Sequence, residues 1–281
     1  DLALGPDNRL YSIHGDAVKL PQEIQRLTPL FAGAARDEGY LIRFDLQGKH
    51  RELLAVGLRN PYGIAFNRDG EPFTFDADNE GDIGLPLYRP TRVNHLLSGA
   101  NYGWRQAGGD SWPVDYPDSL PTTLDIGRGS PTAIAFGYES SFPQRYRDAL
   151  YILDWAYGRI IAVDVIPRGA SYYCQAVTFV RGRPLNVTDL AIGPDGAMYF
   201  ITGGRGTQSS LFRVHYEGNP GSERITTRQE DARVVFSKSA RERRRQLEQL
   251  HGNMVADAVE RIWPDLNNPD PWIRHAARVA L

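Results

Sequence analysis

Four stretches of this chain share one rhythm. Each has a short apolar run, a turn rich in Gly, Pro and Asp, and then a run in which apolar and aromatic residues alternate with polar ones. They are LALGPDNRLYSIHGD (2–16), GIAFNRDGEPFTFDAD (63–78), AIAFGYESSFPQRYRDALYILDWA (133–156) and LAIGPDGAMYFITGG (190–204). Alternation with a period of two predicts half-buried strands, and Asp-Gly or Asp-Asn between two such runs predicts a tight hairpin turn. The third stretch carries a longer insertion at its turn. Further strand candidates follow at 39–48, 92–99, 158–167 and 210–218. Units of roughly 50–65 residues, each offering about four strands, predict propeller blades. A β-sandwich and a solenoid are the alternatives.

The pattern changes after residue 218. A polar stretch at 219–232 reads as a linker between a β region at 1–218 and a helical segment at 233–281. In that segment Leu247, Leu250, Met254, Ala258 and Ile262 recur at helical spacing. Pro271 then stands early in a second helix carrying Trp272, Ile273, Ala276, Ala277 and Ala280. The run RERRR (241–245) reads as a solvated helix face rather than a nucleic-acid contact. A helix pair with this DPW start resembles a HEAT-type repeat.

Composition narrows the picture. Thirty-two basic and 34 acidic side chains leave a formal net charge of −2, without the basic excess of a nucleic-acid or membrane-surface binder. The 28 glycines, 19 prolines and 11% aromatics suit short strands joined by turns. Cys174 is the only cysteine, which excludes a disulfide framework, a thiolate zinc site and a CxxCH haem attachment within these residues. No window reads as a membrane span. The chain begins at Asp1 and ends within a helical pattern, so both ends read as cut from a longer protein.

Two short stretches carry candidate chemistry. In GLRNPYGIAF (57–66), Arg59 and Asn60 stand at the mouth of a strand, where a fork of guanidinium donors and a neutral amide suit a carboxylate or quinone oxygens. The alternative is a structural pair, Arg59 on a neighbouring carboxylate and Asn60 capping the turn. In FDADNEGD (75–82), Asp76, Asp78, Asn79, Glu80, Gly81 and Asp82 crowd hard oxygen ligands into one loop. This is either a calcium site or a solvated acidic loop, and the spacing is not that of an EF-hand. His14 and Asp16 in SIHGD fall at a strand end expected to face the propeller centre, as a general base or as a turn. Arg128 and Ser130 in GRGSP read equally as a turn or as an anion contact. Trp155 reads as core sooner than as a sugar platform, and His95 reads as core. The remaining histidines share no metal-ligand spacing, and NVT (186–188) fits the glycosylation sequon only as chance would place it. No GxSxG, Walker loop or strand-borne GxGxxG is present.

Taken together, GLRNPYGIAF, NEGD and NHLLSGANYGW resemble the soluble glucose/sorbosone dehydrogenase family, and the likeness covers 1–216. GRGSPT (127–132), LDWAYGRI (153–160), LAIGPDG (190–196) and DPWIRHAARVAL (270–281) are similar to a subgroup of planctomycete-type bacteria described as membrane-bound dehydrogenases. The resemblance implies an all-β, six-bladed-type propeller, incomplete here at about four blades. A small α-helical HEAT-like region and, further on, a cytochrome c domain would follow it. It implies PQQ and calcium as cofactors, a sugar or related alcohol or aldehyde as substrate, and a periplasmic or secreted location. Arg59 and Asn60 match cofactor contacts, and Gly81 matches a glycine whose surrounding carbonyls help hold calcium. The family's catalytic histidine would fall upstream of Asp1.

Other positions depart from the family. Ala156 stands where a cofactor-binding lysine is expected, Asn186 and Thr188 stand near expected arginines, and TRVN (91–94) replaces an acidic pair. Quinone binding then requires compensation from Arg159, Arg181, Arg183 or Arg205. Three functions follow: a quinoprotein-like sugar dehydrogenase, a non-catalytic carbohydrate- or partner-binding propeller, and a calcium-dependent lactonase. An isolated piece of this kind would leave two blade edges open for pairing with other chains.

Overall fold

A computed structural model describes residues 1–21, 23–26, 38–86, 88–104, 120–218, 232–253 and 255–281. The hairpin rhythm of the sequence becomes four antiparallel sheets, each a blade. Blade 1 comprises β1 (Leu2–Leu4), β2 (Leu10–His14), β4 (Gly39–Phe44) and β5 (Arg51–Leu58); the two-residue strands β3 (Gln25–Arg26) and β9 (Ala100–Asn101) run parallel to β5. Blade 2 runs from β6 (Tyr62–Phe66) through β7 (Pro72–Asp76) and β8 (Thr91–His95) to β10 (Leu124–Gly127). Blade 3 comprises β11 (Pro131–Phe136), β12 (Leu150–Asp154), β13 (Arg159–Arg168) and β14 (Ser171–Arg181), with the one-turn helix α1 (Gln144–Arg147) in its first hairpin. Blade 4 has, among the described residues, three strands, β15 (Val187–Ile192), β16 (Met198–Thr202) and β17 (Ser210–Val214).

Strand alternation gives each blade two faces, and these make the core in layers. Tyr11, Ile13 and Leu41 of blade 1 pack toward Ile64 of blade 2. Phe73, Phe75 and Val93, on the other face of blade 2, meet Ile134, Leu150 and Ile161 of blade 3. Tyr151, Leu153 and Ala162 in turn meet Val187, Leu190 and Phe200 of blade 4. Gly63 shows how close the inner strands approach. Its φ is +80°, and a Cβ there would lie 2.5 Å from Ile134 Cγ2, so only glycine fits after Pro61. The fold is the β-propeller that the repeats predicted.

The helices are α2 (Ala232–Glu248), α3 (Ala258–Ile262) and α4 (Pro271–Ala280). The predicted run through Leu247, Leu250 and Ile262 is therefore two helices, broken after Glu248. Leu247, Leu250, Ile262, Trp272, Ile273, Ala276 and Ala277 share one core with Leu41, Leu54, Leu96 and Tyr102 of the propeller. Asp270 caps α4 by accepting from the Trp272 and Ile273 amides, and its Oδ2 also accepts from the Ala170 amide at 2.8 Å. One carboxylate thus starts the helix and ties it to blade 3. Of the linker expected at 219–232, residues 219–231 lie outside the described residues, as does Met254, and Ala232 already begins α2.

The expectation of a solvated RERRR face is overturned. Arg241 and Arg244 are 4% and 1% exposed. Arg244 donates to Glu71 at 2.6 Å, to Glu248 at 2.9 Å and to the Ala170 carbonyl at 2.9 Å. Arg241 bonds Asp69, and Arg245 bonds Glu71. Asp69 and Glu71 lie on the first hairpin of blade 2, far away in sequence. His95 is core, as read: its ring is buried between Glu71 and Ser171 and stacks on Phe73.

Candidate functional site at the strand-end face

In an antiparallel blade, the connection between the second and third strands leaves at the same end as the link to the next blade. Asp16, Arg59, Asn60, Asp76–Asp82, Arg128, Asp154–Tyr157, Arg159 and Gly203–Arg205 all lie at that end. The hydrogen bonds join these loops around the face. The Asp16 amide donates to the Arg59 carbonyl, Arg159 Nη2 donates to the Arg128 carbonyl, and Trp155 Nε1 donates to the Gly203 carbonyl.

Two fully buried aspartates anchor the face. Asp76, ending β7, accepts from the backbone amides of Arg59, Asn60 and Ala77 at 2.9–3.2 Å. Asp154, ending β12, accepts from Ser130 and Ala156 amides and from Arg159 Nε at 2.7 Å. The same device recurs in successive blades: a carboxylate at the end of the second strand gathers the amides that lead into the first. Asp154→Ala orphans those donors and is expected to cost about 2 kcal/mol, read as a lowered thermal midpoint.

The opening of GLRNPYGIAF is explained by this anchor. Arg59 and Asn60 are held by their backbone on Asp76, which leaves the Arg59 side chain directed at Glu80 (Nη2–Oε2, 3.0 Å). Arg59 Nε is buried without a partner. Arg159 pairs with Asp154 and lies 5.3 Å from the Tyr157 ring centroid. Arg205 lies 5.2 Å from the centroid of half-buried Trp155. Arg128 and Arg205 have no carboxylate partner among the described residues.

The six residues of the acidic loop do not converge on one point. Asp76 is spent on amides, and Asp78 Oδ2 accepts from Tyr88 at 2.7 Å. Asn79 Nδ2 donates to Asp82, and Glu80 takes Arg59. Gly81 sits in a single helical turn over Glu80–Asp82. Among the described residues no group of three or more acidic, His or Cys side chains is placed to hold a metal. Burial raises the carboxyls of both Asp76 and Asp78 above their ordinary range, against Arg92 beside the first and the Tyr88 hydroxyl on the second. Burial and then Asp78 raise the Tyr88 phenol. Tyr88 belongs to no motif, and neither Tyr157 within LDWAYGRI nor Arg92 within TRVN is marked by its motif as part of this site. The place of Arg92 follows from cross-strand register, while Tyr88 and Tyr157 lie in the connections between strands.

His14 ends β2, at the strand end expected for it. It pairs in register with Tyr40, stacks on that ring at 4.7 Å and hydrogen-bonds Ser12 Oγ at 2.8 Å. Ile13, its neighbour, points into the interface with blade 2, so the pleat turns His14 to the opposite face of blade 1, away from Arg59. Asp16 does reach the face, through its backbone contact with Arg59. Two clefts, of about 850 and 790 Å³, lie along the helices and the opposite hairpins. Neither opens on the strand-end face.

No known family model matches the chain, and no curated protein does. Solved structures do. An aldose sugar dehydrogenase of Streptomyces coelicolor in its PQQ-bound form aligns with a TM-score of 0.54 at 16% identity, over 76% of this chain and 60% of that one. The soluble aldose sugar dehydrogenase of Escherichia coli in its apo form gives 0.59 at 18% identity, over 76% and 62%. A glucose dehydrogenase gives 0.59 at 19%, over 77% and 63%. At these identities the likeness is one of fold. The chain spans about three-fifths of the length of these three structures. Among the described residues no helix is long and apolar enough to cross a membrane.

Proposed function

We propose that the strand-end face binds a planar, anionic cofactor of the PQQ type, and that the chain is the propeller of a sugar dehydrogenase-like oxidoreductase. The observation that carries this reading is a row of guanidinium groups from successive loops, Arg59, Arg128, Arg159 and Arg205. Two of them are without a carboxylate partner among the described residues, and a third keeps a buried Nε without an acceptor. That donor set fits a polycarboxylate, and the fold is that of dehydrogenases, one of them solved with PQQ. Such a quinone, when bound, would accept a hydride, and with it two electrons, from a sugar alcohol carbon as the hydroxyl proton leaves to a base. Arg59 would hold an oxygen pair of the ligand, Arg128 and Arg205 its remaining charge, and Trp155 and Tyr157 offer aromatic surface beside it. The acidic loop does not fit a carboxylate-held calcium. Transfer of electrons to an appended haem domain and a periplasmic or secreted location belong to this reading.

One observation favours a second reading, a carbohydrate- or partner-binding propeller without turnover. At the positions where the resemblance expects cations, Asn186 Nδ2 donates to the Trp155 carbonyl and Thr188 Oγ1 to that of Ile201, so neither side chain supplies a charge. Titration of PQQ into the protein, followed by absorbance, decides between the two. Saturable binding weakened about 10- to 100-fold in Arg59→Ala, the scale of one charged hydrogen bond, is the expected result. No saturable binding of PQQ, with binding of an oligosaccharide, would establish the second reading.

A further inference from the structure

The acidic loop is crossed by a cation that belongs to the protein. Arg92, on β8, pairs in register with Asp76 on β7 and places Nη2 3.6 Å from Asp76 Oδ2. Both are buried, at 7% and 0% exposure. Arg92 and Asn94 share one face of β8 with Thr74 and Asp76 of β7, opposite the face that carries Phe73, Phe75 and Val93. Arg92 therefore approaches the acidic loop from inside the blade, beneath the site, while Arg59 approaches Glu80 from its mouth.

We propose that Arg92 is the built-in counter-ion of this loop, and that through Asp76 it positions the Arg59–Asn60 mouth without a divalent ion. The chain of contacts is short. Arg92 neutralises Asp76, and Asp76 holds the amides of Arg59 and Asn60. Those two residues begin the link into blade 2. A calcium ion takes six to eight oxygens at roughly 2.3–2.6 Å. Here each carboxylate already has a partner, Asp76 the amides, Asp78 Tyr88, Asp82 Asn79 and Glu80 Arg59, and a guanidinium stands against the one with no solvent exposure, Asp76. Only Asp78 Oδ1 is buried without a partner, and one oxygen does not make a calcium site. Arg92 is thus a positioning residue. The inference goes beyond the proposed cofactor, because it holds for any ligand of the face.

Thermal unfolding in millimolar calcium and in chelator, together with a calorimetric calcium titration, tests it without any quinone. The wild-type midpoint is expected to be the same in both, with a flat isotherm. Arg92→Gln should lower the midpoint by roughly 5–10 °C, since Asp76 then lacks its internal cation; Arg92→Lys should recover part of the loss. A wild-type midpoint raised by calcium, with a saturable isotherm abolished in Asp78→Asn, would overturn the proposal. So would an Arg92→Gln protein with an unchanged midpoint. Should Arg92→Gln fail to fold, the wild-type isotherm and Arg92→Lys still decide.

Discussion

Arg244→Met is expected to destabilise the protein by about 3–5 kcal/mol, the scale for breaking a buried ion pair from one side. Among the described residues Arg244 is the largest side chain with less than 2% exposure, and its guanidinium is shared between Glu71 at 2.6 Å and Glu248 at 2.9 Å. Burial would push the Glu71 carboxyl up, but Arg244 and His95 outweigh it and hold that group well below the usual carboxylate range. Burial raises Glu248 in spite of Arg244, so Glu248 is the weaker partner and takes a proton most readily once the arginine is gone. The cost is greatest at neutral pH, where Glu71 remains charged beside only His95 and the half-exposed Arg245. Urea unfolding of Arg244→Met reads the loss as a lower midpoint at unchanged slope. The double variant with Glu71→Gln removes the stranded charge and should regain about 1 kcal/mol or more. A loss below that size in the single variant would mean that the helix is held to the propeller by its apolar face alone.

This network also marks the limit of what a sequence can disclose. The blades were legible because a hairpin is local: two alternating runs and a Gly-Asp turn define it within about 15 residues. The mouth at Arg59 and its nearness to the acidic loop were legible for the same reason, since β6 and β7 form one hairpin. RERRR was misread because its partners, Asp69 and Glu71, lie some 170 positions earlier, and a charge run without visible partners looks like a solvated face. The orientation of His14 was misread because it depends on which pleat of β2 meets blade 2. A one-residue change in that parity reverses the answer. Arg92 illustrates the third kind of failure. In the sequence TRVN looked like the loss of acidic ligands, whereas the fold turns its arginine inward onto Asp76. Identity at a position was readable; the partner across the sheet was not.

Acidification is expected to loosen the helical segment before the propeller. His251 and His275 lie in the core between α2, α4 and the loop after β8, and burial pushes each down to about 4. His251 is fixed between Ser98 Oγ at 2.8 Å and the Ala276 carbonyl at 3.0 Å. His275 bonds the Gly99 backbone, faces His251 and Arg278, and keeps a buried Nε2 without a partner. Both rings are therefore neutral in the folded protein and charge readily once it unfolds. With the folded value depressed below the unfolded value near 6.5, the unfolded state binds more protons between the two, so stability rises with pH across that window. It is fully present above about pH 6.5 and is lost as pH falls toward 4, by up to roughly 3 kcal/mol for each ring. His95, also pushed down to about 4 by burial against its bond to Glu71, adds in the same direction. Urea midpoints measured across that window check the slope, and His275→Gln, which takes no proton, should flatten it by the share of one ring. A stability constant from neutrality to pH 5 would show that these imidazoles are hydrated and free to charge in place. An acid slope that persists undiminished in the His251→Gln, His275→Gln double variant would instead assign the transition to His95 and the carboxylates around Arg244.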